Sequence, residues 1–156
     1  MRKTGWIWLW VSVVVFLFDR ITKELAQAHL TSYIPLPVMP SLNFTLAYNK
    51  GAAFSFLHTG SGWQVIFFAS LAIFVVTLLL VWLRKLPAAV SWQAIGFTLI
   101  IGGALGNLWD RVCYGKVVDF IQLYYRHFYW PTFNIADSAI CLGAVMLLID
   151  QLRQKK

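Results

Sequence analysis

Apolar runs divide this chain before any other feature does. A membrane-crossing helix needs about 20 mostly apolar residues. Two stretches meet that on sight, Val65 to Leu83 and Ser91 to Trp109, neither of which contains Asp, Glu, Lys or Arg. A third run, Trp6 to Phe18, is followed by Asp19, Arg20, Lys23 and Glu24. Arg2, Lys3 and the triplet Ala26-Gln27-Ala28 offer the ends of a cleaved signal peptide, but the intervening charges argue against one. The preferred reading is one helix from Trp6 to about Ala28 with its outer third polar. The fourth run, Ser138 to Ile149, lies between Asp137 and Asp150 and reaches membrane length only with Asp137 at one mouth. Asn134 supplies an N-cap there, which puts Asp137 at the third helical position.

The pattern therefore predicts an all-α membrane protein forming one domain over residues 1–156, with spans at about 6–28, 63–84, 91–110 and 135–152. Arg2, Lys3, Arg84, Lys85, Arg153, Lys155 and Lys156 all fall on one side, which marks that side, and both termini, as cytoplasmic. The longer loops, about 29–62 and 112–134, then face outward together with Asp119 and Asp137. Pro35, Pro37 and Pro40 forbid a helix in the first of them. Leu42, Phe44, Leu46 and Tyr48 then alternate with Asn43, Thr45, Ala47 and Asn49, a strand with one apolar face, for which Val117 to Leu123 is the candidate partner. Eight aromatics between Tyr114 and Phe133 suit a membrane interface, so a small sheet is expected to rest on the outer leaflet. Ala52 to Leu57, flanked by Gly51, Gly60 and Gly62, reads equally as a mobile lid or a passive interfacial turn.

Composition agrees and removes other classes. Hydrophobic residues make up 60% of the chain and charged residues 12%, against about 25% charged in soluble domains. The net charge of +7 comes from cations that flank apolar runs, not from the basic stripe that nucleic acid requires. Cys113 and Cys141 are too few for a disulfide framework, and Cys141, inside an apolar run, reads as a buried free thiol. His29, His58 and His127 have no metal-ligand spacing, so neither a metal nor another cofactor is expected.

Six acidic residues remain to be sorted. Asp19 has Lys23 four residues on, Arg20 has Glu24 at the same step, and Asp150 has Arg153 three on, so these acids have local partners. Asp19 with Lys23 also has the option of polarising a site. Asp110, Asp119 and Asp137 lack such partners; Asp110 reads best as structural. For Asp137 the plain reading is a helix-start carboxylate, and for Asp119 a solvated position on a strand face. The functional reading is that an ionisable group near lipid is there for chemistry, and that two carboxylates brought together share a proton and activate water. Spacing alone leaves both readings open. On the third span, Gly102 and Gly106 form a small face for close helix approach, and Asn107 and Arg111 share a face on which they either bind peptide carbonyls or merely bond across helices and snorkel.

Taken in order, Asp19 with Lys23, Asn49-Lys50-Gly51-Ala52-Ala53-Phe54-Ser55, Gly102 through Arg111, Val117-Val118-Asp119-Phe120 and Phe133-Asn134-Ile135-Ala136-Asp137-Ser138 resemble the lipoprotein signal peptidases, the type II signal peptidases of bacterial membranes. The resemblance implies a four-helix aspartyl protease of the bacterial inner membrane whose active site opens at the periplasmic face. Its substrates would be diacylglyceryl-modified prolipoproteins, cut just before the lipidated cysteine, with globomycin-type cyclic peptides as inhibitors. By motif match Asp119 and Asp137 would be the catalytic pair. Asn49, Gly51, Asn107, Arg111 and Asn134 would line the site, supported by Asp19 and Lys23. The alternative from another class is a small four-helix transporter with Asp119 or Asp137 as its proton-coupling acid, although such an acid belongs nearer the bilayer middle. An inert lipid- or helix-binding scaffold is the third reading.

Overall fold

The computed structural model describes residues 4–49, 51 and 62–154. The segment Ala52 to Leu57, read above as lid or turn, lies outside the described residues, as do the cations Arg2, Lys3, Lys155 and Lys156.

A 3-10 turn, Gly5–Trp8, leads into helix α1, Leu9–His29. Two strands follow, β1 Leu36–Met39 and β2 Leu42–Asn49, then helices α2 Trp63–Lys85 and α3 Trp92–Tyr114. Strands β3 Val117–Tyr125 and β4 Phe128–Tyr129 precede the last helix, α4 Ile135–Gln154. Among the described residues, Gly5–His29, Trp63–Lys85 and Ile135–Arg153 are long and apolar enough to cross a membrane. Helix α3 is not in that group even though Ser91 to Trp109 is uncharged, because its glycines, Thr98 and Asn107 dilute its hydropathy. Its packing accounts for this. Ten α3 residues are buried, against four each in α1 and α2, so α3 is the central helix and meets protein more than apolar solvent.

Local chemistry sets the helix ends. Ser91 Oγ accepts the Ala94 N–H at 3.1 Å to start α3. Gly115, at φ +65°, stops it in the left-handed conformation that suits glycine, its N–H bonded to Arg111 O at 3.1 Å. Close approach then fixes the bundle. A Cβ on Gly102 would sit 2.7 Å from Ser12 O of α1, and one on Gly103 would press on Ala136 O of α4. Both neighbours are backbone and cannot swing aside. Gly103→Ala is therefore expected to cost about 1–3 kcal/mol by forcing α3 from α4; a thermal unfolding curve in detergent that matches wild type would remove this packing argument.

The four strands run antiparallel in the order β1-β2-β3-β4. The strand expected from alternation at Leu42 is present and pairs with β3, placing Ala47 opposite Asp119 and Asn49 opposite Val117. Its burial follows the expected apolar face only at Leu46, which is buried. Asn43 and Thr45 are buried and share Gln122 Oε1 at 3.3 and 3.1 Å, while Leu42 and Phe44 are only half-buried. Beside an apolar core of Val76, Leu79, Leu83, Ala94, Ile101 and Ala104, the polar residues Asp19, Lys23, Thr98, Asp110 and Asn134 are fully enclosed, while Ile66 and Val112 are each 71% exposed. Such a surface suits an apolar solvent.

Candidate active site

The polar interior gathers where the helices meet the sheet. Backbone bonds between Phe133 and Ile121, N–H to O at 2.9 and 3.0 Å, lay the start of α4 alongside β3. Asn134 then caps α4: its Oδ1 accepts the Asp137 N–H at 2.9 Å, and Asp137 Oδ2 accepts the Asn134 N–H at 3.2 Å. This reciprocal cap holds Asp137 at a helix N-terminus, where a carboxylate is favoured.

The side-chain amide of the same Asn134 reaches the other carboxylate. Its Nδ2 donates to Asp119 Oδ1 at 2.7 Å, and lies within 3.1 Å of Asn107 Oδ1 and 3.2 Å of Val118 O. Asn107 completes the link by donating from Nδ2 to Asp137 Oδ1 at 2.7 Å. Lys23 Nζ donates to Asn107 Oδ1 at 3.0 Å. An ammonium has no acceptor, so Lys23 fixes which end of the Asn107 amide faces Asp137. Asn49 turns its Oδ1 to the Gly51 N–H at 2.9 Å and bonds Asp119 through its side chain. Arg111 donates to Asn107 O at 3.3 Å and Gly51 O at 3.2 Å, with its guanidinium 5.4 Å from the Phe68 ring centre. Arg111, Asn107 and Asp137 line one side of a cavity of about 320 Å³, whose apolar walls include Phe68, Leu71, Val75 and Ile140.

Burial, and next the neighbouring Asp137, push the Asp119 carboxyl up to about 8; Asn134, Lys23 and Asn49 pull the other way. Beside a second carboxyl, such a group favours one proton held between the two at neutral pH, available to a stronger base or a developing anion. Among the described residues no group of three or more His, Cys, Asp or Glu converges as a metal site requires.

Every residue singled out from the sequence, Asp19, Lys23, Asn49, Gly51, Asn107, Arg111, Asp119, Asn134 and Asp137, falls within this one network. Asp110, read as structural but without a partner on its own helix, holds Lys23 at 2.8 Å, Arg20 and the Val118 N–H. No spacing rule reveals a contact between α1 and α3. The Lys116 ammonium lies 3.5 Å over the Tyr48 ring. Cys141, expected to be buried, is exposed and borders the cavity, because an apolar run in this molecule faces outward.

Residues 11–153 match the sequence profile of the family described as signal peptidase (SPase) II. The chain is 52% identical over 151 residues to a lipoprotein signal peptidase of Pseudomonas aeruginosa (strain UCBPP-PA14), covering 96% of this chain and 89% of that protein. To a lipoprotein signal peptidase of Coxiella burnetii (strain Dugway 5J108-111) it is 47% identical, covering 96% and 92%. The fold is similar to a bacterial membrane enzyme solved by the in meso method at 2.3 Å resolution, with a TM-score of 0.87, 32% identity, and coverage of 100% of this chain and 94% of that one. The polar network at the head of the bundle thus sits in a membrane protease, and the chain belongs to the signal peptidase II family.

Proposed function

We propose that this chain is an aspartic endopeptidase that removes signal peptides from diacylglyceryl-modified prolipoproteins, cutting before the lipidated cysteine, with Asp119 and Asp137 as its catalytic pair. Cleavage of prolipoprotein signal peptides follows from relatives about half identical over nearly the whole chain. The observation that carries the catalytic reading is that a single asparagine, Asn134, bonds both carboxylates, one of which, Asp137, lines an apolar cavity.

The chemistry uses one proton held between the two acids. The ionised aspartate takes a proton from water as the water oxygen attacks the scissile carbonyl carbon. The protonated partner donates to the carbonyl oxygen, giving a neutral tetrahedral diol. The proton taken from water is then passed to the leaving nitrogen as the C–N bond breaks, and the second diol proton returns to the pair. Two close carboxylates in a poorly hydrated place do not both ionise readily, so the titration belongs to the pair. Arg111, Asn107 and Gly51 would hold the peptide backbone, and the apolar cavity would accept the signal helix and the lipid.

The rest of the reading concerns placement. The whole chain acts as one integral domain of the bacterial inner membrane, with four spans, both termini cytoplasmic and the site at the periplasmic face. Arg84 and Lys85 at the end of α2 and Arg153 at the end of α4 support this orientation. Globomycin-type cyclic peptides would compete for the same cavity. The transporter alternative loses its footing, since the relatives are peptidases.

A gel-shift assay with purified enzyme tests the substrate class. A diacylglyceryl-modified precursor should be cut at least about 100-fold faster than its unmodified form, since remote binding energy is used in the transition state. Equal rates on the two would overturn the substrate assignment.

A further inference from the structure

Behind the two proposed catalytic acids lies an ion cluster that the reaction does not touch. Asp19, Lys23 and Asp110 are all completely buried. Lys23 Nζ lies 2.8 Å from Asp19 Oδ2 and 2.8 Å from Asp110 Oδ2, and Arg20 closes on Asp110 Oδ1 from the other side. Burying ion pairs is a weak route to stability, because desolvation offsets the attraction. Their remaining contacts point to another purpose. Asp110 Oδ2 accepts the backbone N–H of Val118 at 3.1 Å, and Val118 immediately precedes Asp119. Asp19 Oδ1 accepts the backbone N–H of Ala136 at 2.9 Å, and Ala136 immediately precedes Asp137. The same device thus appears twice, once on strand β3 and once on helix α4, and one ammonium joins the two.

We infer that Asp110 is a positioning residue for peptide cleavage: through the Val118 N–H it sets where Asp119 stands, and through Lys23 it references that strand to Asp19 and so to Asp137. The inference rests on the catalytic pair proposed above. Strand β3 and the start of α4 are separate elements, and the separation of their two carboxylates governs how they share a proton. Arg20 holds the Asp110 carboxylate from the far side, so the anchor is gripped at both oxygens. Small errors in such an anchor matter, since a 1 Å misplacement far from the chemistry costs up to about 100-fold in rate.

The test compares full-length wild type, Asp110→Asn, Asp110→Glu and Asp119→Asn in lipid nanodiscs, using a diacylglyceryl-modified precursor and checking each for folding by circular dichroism. Asp110→Asn places an amide against three donors, and its kcat should fall roughly 10–100-fold with KM little changed. Its pH profile of kcat should shift, because a changed separation alters the coupling within the pair. Asp110→Glu restores the charged acceptor and should recover part of the rate. A folded Asp110→Asn with wild-type kcat and pH profile, or with its loss confined to KM, would overturn the inference. Should that variant fail to fold, a backbone ester at Val118, which deletes only the N–H, carries the test: the same fall in kcat is expected, and an unchanged kcat refutes it. Asp119→Asn separates the two levels. If it cleaves normally, the catalytic pair itself is wrong; if it is inactive while Asp110→Asn matches wild type, only the positioning role fails.

Discussion

Asp119→Asn and Asp137→Asn are each expected to lower cleavage of a lipidated precursor by about 10²–10⁴-fold while remaining folded, because each removes one half of a proton exchange. Asparagine keeps the shape of the side chain and so leaves most of the surrounding contacts in place. It cannot take a proton from water, and it cannot hand a full proton to a carbonyl oxygen. If either variant cleaves at the wild-type rate, that aspartate leaves the mechanism. Comparable losses in both would be expected from groups that act as a unit, and the double variant should then be little worse than either single one.

The same Asp119 variant carries a stability signature of opposite sign. Burial, and next the neighbouring Asp137, push the Asp119 carboxyl from its ordinary 3.8 up to about 8 in the folded protein. Between those values the native state holds a proton that the unfolded chain has released, so stability falls as pH rises through that window and levels off above about 8. A shift of that size opposes the ionised native state by on the order of 5 kcal/mol. Asp119→Asn has no such group and should lose this decline, becoming the more stable protein at the alkaline end. Melting temperatures of the two proteins, measured in detergent from pH 5 to 9, would show the gap widen with pH. Parallel curves would show that Asp119 is not strained by its burial. An inactive variant with higher stability is the pattern of a site kept destabilised for function.

How legible this was from sequence depends on the kind of contact. Asn134 and Asp137 are three residues apart, so the cap that joins them is written in local order. The strand at Leu42 is likewise local, because alternation needs only a pleat. Which face of it is buried was not legible in the same way. The rule that apolar residues point inward holds in water, and here Asn43 and Thr45 point inward to Gln122. The same inversion exposes Cys141. Strands β1 and β4 gave no signal, the first being a fully exposed edge that carries Pro37 and the second only two residues long. Asp110 was illegible for a different reason. Its partners Arg20 and Lys23 lie on another helix, about ninety positions earlier in the chain. Only the packing of α1 on Gly102 and Gly106 brings them together.

That dependence makes Lys23 the position where a single substitution should destabilise most. Lys23→Met keeps a similar apolar stem but leaves Asp19 without its cation and Asp110 with Arg20 as its remaining cation. Removing one partner from a buried ion pair costs about 3–5 kcal/mol, since the remaining charge stays enclosed without compensation. A drop in melting temperature should be plain in any detergent that keeps wild type folded. The double variant Lys23→Met with Asp19→Asn then discriminates between causes. It removes the orphaned charge while Asp110 keeps Arg20, so much of the lost stability should return. If the melting temperature stays as low as in Lys23→Met alone, the loss came from packing and the ionic account is wrong. Activity should not return with stability. Without the ammonium, Asn107 Oδ1 keeps only the Asn134 amide, itself shared with Asp119 and Val118 O, so the amide that faces Asp137 is held less firmly and the bond that orients that carboxylate weakens. A folded, inactive double variant would separate the two tasks of Lys23: neutralising the interior, and setting the polarity of the chain of amides that reaches the proposed catalytic pair.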